Sequence, residues 1–526
     1  MKLRWIAGSI GIVVIGLVSP TLASASHLRA PAVFQAGSDG IGDPYFPLMG
    51  NGGYDVLSYK LDVSYDPTTN FLQGTATIRA KATQDLTQFH LDLQGLNVRS
   101  VVVRGSDAGW SRAGQHELVI APAKPVREHT HFTTVVKYEG APTTLTVPGT
   151  DSDPMGFIPT SGGALIAGQP EVAATWFPVN DHPLDKAEYT FIITVPAGLE
   201  AVANGRLMNE HTRHGLSTWR WHENDPMASY LATATMGQFR TESYRTRDGL
   251  RVYNAIDPSL YLQSSDPDDP NSPSLGQVAE DTFRRIPNQL RFLSSMFGPY
   301  PFDDAGGIVD DAPIRFALEN QTRSIYAPHW FEDPFVARIV QIHELAHQWY
   351  GDSVSVHHWR DIWLNEGFAT YSEWLWLAHV FDDPGVPQEI FDDLYSNISR
   401  QDPFWDVVIG DPGSDSLFDD PVYARGAMTL VALRERVGDD DFFQILRRWA
   451  SSHALSNGST PQFIRLAERI SGSSLDALFN EWLFTGHKPS LSDGRMARVN
   501  GDTSPRAKRA VSNWYSYMTA KSEHQP

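Results

Sequence analysis

His343, Glu344 and His347 stand in the order H-E-x-x-H, and a further carboxylate, Glu366, follows beyond residues 348–365. Side chains four apart lie one turn above each other on the same face of a helix, so the two imidazoles can close on one ion, with Glu344 beside that ion and not bound to it. Two imidazoles, one carboxylate and an open fourth position make the ligand set of a catalytic zinc, since a structural zinc is closed by four protein ligands. One Zn2+ per chain is therefore expected, held by His343, His347 and Glu366. The bland alternative is two histidines on an ordinary amphipathic helix, because a motif this short arises by chance with odds of about a few in a hundred in a long chain. The third ligand at a workable distance weighs against it.

The elements that must position these residues are legible nearby. Asp333 is a good N-cap, Pro334 suits the first helical position, and Val336, Ile339, Val340 and Leu345 give the apolar periodicity; Gly351 stands where the helix should stop. A second helix, roughly Asp361 to Phe381 and halted by Asp382, Asp383 and Pro384, would carry Glu366. Glu373, nearly two turns further on, shares that face and is a candidate either to orient a histidine or simply to lie at the surface. The metzincin pattern requires Gly and His where this chain has Tyr350 and Ser353.

HELAHQWYG followed by WLNEGFATY resembles the gluzincin aminopeptidases of the aminopeptidase N and leukotriene hydrolase family. The resemblance implies zinc-dependent removal of N-terminal residues from peptides, with Glu344 as general base. It extends to GQPEVAATWFPVNDHPLDKAEYTF, whose Gln169 and Glu171 match residues that line the first substrate pocket and hold the substrate amine. Val179 and His182 depart from the cysteine and acidic residue common there. RFALEN, residues 315–320, occupies the place of the family's Gly-x-Met-Glu-Asn, an edge strand along the substrate. Glu319 then matches the amine-binding glutamate, with Ala317 and Asn320 beside it, while Phe316 and Leu318 replace glycine and methionine. PVYARGAM resembles the family's Tyr-x-Lys-Gly-Ala, with Arg425 for lysine; Tyr423 is thereby assigned to the developing oxyanion. FGPYPF, residues 297–302, and LFNEWLFTGHKP, ending at Pro489, are further landmarks.

The rest of the chain fits around this centre. From Tyr54, Leu57, Tyr59, Leu61, Val63 and Tyr65 alternate with polar residues, as do Ala76, Ile78, Ala80 and Ala82 after a turn expected at Gly74. The expected class is α+β and multidomain: a signal peptide at 1–25, a linker at 26–45, an antiparallel β-sandwich-like domain at 46–243, a thermolysin-like, mainly helical catalytic domain with a small sheet at 244–489, and a flexible tail at 490–526. A packing arm using Trp514, Tyr515 and Tyr517 is the weaker alternative for that tail. Residues 263–274 read as a surface loop, Pro287 falls inside an amphipathic helix, and His357 and His358 read as loop residues.

Lys2 and Arg4, the apolar run Ile6 to Val18 and Ala23-Ser24-Ala25 read as an export signal, giving a secreted product that begins near Ser26. The apolar run is too short to span a membrane, so no stable membrane anchor is expected. A net charge of −20 disfavours nucleic acid as a partner. With no cysteine, the fold must hold by its core. Peptides are the expected partners and a monomer the favoured state. Two other classes remain open: an endopeptidase or epoxide hydrolase on the same zinc, and an exported binding protein whose intact Glu344 would have no use.

Overall fold

Alternating apolar residues in the first half produce three sheets that share one core. The computed structural model describes residues 33–146, 153–491 and 505–523; the signal-like residues 1–25 lie outside them. The largest sheet has eight strands, with Tyr54–Asp66, Phe71–Ala82, His131–Gly140 and Ala187–Pro196 at its centre. Pairing is antiparallel except that Ala187–Pro196 runs parallel to Tyr54–Asp66. That strand arrives by a long crossover through a second sheet, the kind of connection a parallel pair needs. A four-stranded sheet covers one end, where Tyr54, Phe89 and Phe132 meet edge to face. A five-stranded sheet covers another, where Tyr65 meets Phe157.

The first two strands depart from the expected pattern at two places. Leu57 is not in the buried row, because a bulge between Val56 and Ser58 shifts the register, so Tyr54 and Val56 point inward before it and Tyr59, Leu61, Val63 and Tyr65 after it. Gly74 sits inside its strand and makes no turn; a Cβ there would come within 2.3 Å of the Tyr138 ring, so the glycine makes room for that ring.

Within the stretch 26–45 expected as a linker, residues 35–45 make specific contacts. Gln35–Ala36 pairs with Leu86–Asp92, and the buried carboxylate of Asp43 takes the backbone N–H of Trp359 at 2.9 Å and faces His182 Nε2 at 3.2 Å. Despite burial, these hydrogen bonds hold Asp43 down to about 2. The segment thus clamps the turn that leads into the second metal-site helix.

The helical half contains, among the described residues, α1 (Leu275–Phe283), α2 (Ile286–Phe297), α3 (Pro334–His347), α4 (Trp363–Phe381), α5 (Val386–Asn397), α6 (Asp420–Val437), α7 (Asp439–Ser452), α8 (Thr460–Ser471), α9 (Asp476–Leu483) and α10 (Pro505–Glu523). The helix expected to contain Pro287 is two helices. Proline lacks the N–H and its ring would clash with the carbonyl four residues back, so the chain breaks at Arg284 and Arg285 and Pro287 falls in the first turn of α2. A small mixed sheet supports α3 and ends at an edge strand, Ala317–Leu318, antiparallel to Ser324–Tyr326. The described part of the tail is also corrected: 505–523 is a helix packed on α3, α4 and α5, with Trp514 and Tyr517 buried. No helix among the described residues is long and apolar enough to cross a membrane.

Candidate metal centre

Helix α3 starts where its cap requires, with Asp333 accepting from the N–H of Phe335 at 2.6 Å and of Val336 at 3.3 Å. Its last turns present His343, Glu344 and His347, all buried. Gly351, at φ +144°, turns the chain away four residues beyond the helix end. A short turn at Trp359–Asp361 then leads into α4, which carries Glu366 in its first turn and Glu373 two turns later. Glu366 Oε2 lies 3.3 Å from His343 Nε2 and 3.4 Å from His347 Nε2.

These residues fit zinc. Ligands about 2.1 Å from a tetrahedral ion stand roughly 3.4 Å from one another, which matches the two nitrogen–oxygen separations. The far nitrogen of each ring is engaged as well: His343 Nδ1 faces Glu373 Oε1 at 2.7 Å and His347 Nδ1 faces the Tyr350 carbonyl at 3.1 Å. With Nδ1 donating, each Nε2 lone pair is left for an ion. Electrostatics agree. Burial alone would lower both histidines, yet the carboxylates around them win, lifting His343 to about 9 and His347 well above its usual value, while the imidazoles hold Glu366 down to about 2. Such a site asks for positive charge.

Glu319, Glu344 and His347 form a second, overlapping set of possible ligands. The set with two imidazoles suits zinc better and leaves Glu344 beside the ion. Burial, the largest influence, pushes Glu344 up to about 8.

The centre opens into a cavity of about 750 Å³ lined by Gln169, Ala317, Glu319, Glu344 and Tyr423 together with the three ligands. Tyr423, in the first turns of α6, lies nearly parallel to His343 with ring centroids 6.0 Å apart. Burial raises its phenol well above the usual value, so it stays a protonated donor. Glu319 follows the edge strand; its Oε1 accepts from the Tyr230 hydroxyl at 2.9 Å, and burial raises its carboxyl. Phe316 lies on the cavity wall in place of an open backbone.

Two expected residues are not brought to the cavity. Glu171 is half-buried on the β side, pushed up to about 7 by burial first and then by Asp181, with His116 and Asp43 also near it. Asn320 is buried and spends its Nδ2 on the Leu231 carbonyl at 2.9 Å, bracing the strand end. The converse also occurs. Tyr230, the partner of Glu319, carries no local sequence signal. Tyr517 of α10 lines the cavity, and the apolar spacing of Ala507, Ala510, Trp514 and Tyr517 is the pattern that marks that helix.

Comparison with known proteins shows the family of the chain. Residues 295–482 match the Peptidase family M1 domain and residues 56–231 the Peptidase M1 N-terminal domain. Aminopeptidase M1 of Arabidopsis thaliana is 26% identical over 63% of this chain, which spans 38% of that protein. Probable aminopeptidase 1 of Saccharolobus solfataricus is 24% identical over 81% of this chain, which spans 53% of it. The crystal structure of the M1 zinc metallopeptidase from Deinococcus radiodurans superposes with a TM-score of 0.73 at 27% identity, covering 84% of this chain and 97% of that one. A mutant of that metallopeptidase bound to a Tyr-Ser-Ala substrate gives 0.74 at 27%, covering 86% and 98%.

Proposed function

This chain belongs to peptidase family M1, and from that premise we propose that it is a zinc aminopeptidase that removes the N-terminal residue of peptides. The observation that carries the reading is the meeting, in one cavity, of a candidate three-ligand metal site, a further glutamate, Glu344, and the buried carboxyl of Glu319. Zinc held by His343, His347 and Glu366 would supply Lewis-acid polarisation of a carbonyl and acidify water near neutral pH.

The chain's own residues do the rest. Glu344 takes the proton of the attacking water and returns it to the leaving amine. The Tyr423 phenol donates to the carbonyl oxygen as it becomes anionic, a bond stronger in the transition state than in the ground state. Glu319 accepts the α-ammonium, so the cut falls after the first residue. The Ala317–Leu318 edge pairs on one side only within its sheet, leaving its other side to lie along an extended peptide. Phe316 selects which first side chain fits. The signal-like residues 1–25 add the proposal that the enzyme is exported; mass spectrometry of the secreted product would show a start near Ser26.

The test compares an amino-acyl amide or peptide with its N-acetylated form, in wild type and in Glu319→Ala. Acetylation removes the cation and leaves a buried carboxylate unpaired, at a cost of about 3 kcal/mol, or roughly a hundredfold in kcat/KM. The preference should collapse in Glu319→Ala. Comparable cleavage of the acetylated peptide, or internal cuts in a blocked one, would reassign the protein as an endopeptidase.

A further inference from the structure

Helix α10 comes from residues beyond the matched catalytic region, and it reaches the metal centre. Its buried stripe is Ala507, Ala510, Trp514 and Tyr517, so small residues let its start approach closely and large ones fill the space at its end. Trp514 is fully buried and packs edge-on against Trp374 of α4, ring centroids 5.6 Å apart. Its indole Nε1–H donates to Glu373 Oε2 at 2.8 Å, while Glu373 Oε1 faces His343 Nδ1 at 2.7 Å. The Tyr517 phenol lies against the same carboxylate.

A carboxylate that orients a metal-binding imidazole must itself be held, since its two oxygens can rotate about the Cγ–Cδ bond. Glu373 is 1% exposed, so water cannot hold it. We propose that Trp514 is a positioning residue of the metal centre: by fixing Glu373 it fixes the tautomer and ring orientation of His343, making the C-terminal helix part of the zinc site. The assignment rests on the zinc reading above. It concerns affinity and orientation, and Trp514 touches neither ion nor substrate.

The experiment measures zinc Kd on demetallated full-length protein by competition with a chromophoric chelator, at a temperature where circular dichroism shows each variant folded. Trp514→Phe keeps an aromatic ring and removes the donor; a weakening on the order of 10-fold or more is expected, the scale seen for outer partners of metal ligands. Tyr515→Phe is the control, because it removes a different α10 anchor, the Tyr515 hydroxyl to Asp393 of α5, without touching Glu373; its Kd should stay within about twofold of wild type. Wild-type Kd in Trp514→Phe, or equal losses in both variants, overturns the proposal. If Trp514→Phe is not recovered folded, Glu373→Gln must lose zinc affinity by at least the same factor, and an unchanged Kd there overturns it too. A wild-type protein that takes up no stoichiometric zinc refutes the metal assignment itself, a separate outcome.

Discussion

Gly367 and Gly426 offer a test in which two physical effects predict opposite signs. Helices α4 and α6 cross where these glycines touch: a Cβ on Gly367 would lie 2.8 Å from the Gly426 Cα, and a Cβ on Gly426 would lie 2.8 Å from the Gly367 Cα. Both obstacles are backbone atoms, so no rotamer change relieves them. Reaching even a tight van der Waals contact requires the helices to part by about 0.6 Å. Intrinsic helix propensity predicts that Gly→Ala stabilises by up to ~1 kcal/mol. Overpacking at a close crossing predicts a loss of ~1–3 kcal/mol, and we expect it to win. The functional consequence follows from sequence neighbours, since Glu366 precedes Gly367 and Tyr423 lies one turn before Gly426. Because α4 is wedged among α3, α5 and α10, α6 should yield and carry Tyr423 outward. Gly426→Ala should then keep zinc and lose kcat by roughly 10- to 100-fold, the cost of a sub-ångström to 1 Å misplacement. Urea unfolding, zinc content and kcat on an amino-acyl amide form the assay. A Gly426→Ala protein more stable than wild type, with unchanged kcat, would refute the reasoning.

Glu344→Gln should retain zinc and lose turnover by ~10² to 10⁴-fold; loss of zinc with it would favour the overlapping set of Glu319, Glu344 and His347. Tyr423→Phe should lower kcat by ~10²-fold or more with little change in KM, and an unchanged kcat would send the search to another donor. Arg425 is buried and donates to the carbonyls of Trp405, Val407, Glu481 and Thr485, tying the 402–411 segment to the end of α9. Arg425→Met should therefore cost at least ~3 kcal/mol in urea unfolding, as several buried acceptors lose their donor, and a wild-type midpoint would show that those carbonyls find other partners.

The metal centre is readable in the sequence because its determinants are local. Asp333 and Pro334 set the start of α3 by rules that operate within a few residues, although the helix ends at His347, four residues before Gly351; the H-E-x-x-H spacing and the shared face of Glu366 and Glu373 follow from helix geometry alone. What escapes such reading depends on distant partners. The bulge at Val56 and Ser58 is set by pairing with a neighbouring strand, and the room Gly74 leaves is filled by Tyr138, more than sixty residues away. The apolar spacing of α10 marks a helix but does not say where it docks, and its contacts with α3, α4 and α5 are what hold it in place. Arg425 replaces the family lysine at a place where four carbonyls converge, and no local pattern announces that convergence.

The placement of Glu171 changes the electrostatic account of specificity. Of the two carboxylates expected to bind the amine, only Glu319 lines the cavity, so the proposed recognition of an ammonium would rest on it, with Gln169 able to contribute a neutral amide. The charge does not vanish with Glu171. Asp153, Asp402, Asp415, Asp419 and Asp420 line the same cavity, and among the described residues its one lining arginine or lysine, Arg315, is paired with Asp153 at 2.8 Å. A buried carboxyl such as Glu319 is costly to ionise alone, and the Tyr230 hydroxyl compensates only part of that cost. An arriving ammonium supplies the rest where it is least screened, while the outer acids steer cations inward over a longer range. On the proposed reading, specificity for the amine is concentrated in one buried group, and attraction toward it is spread over many.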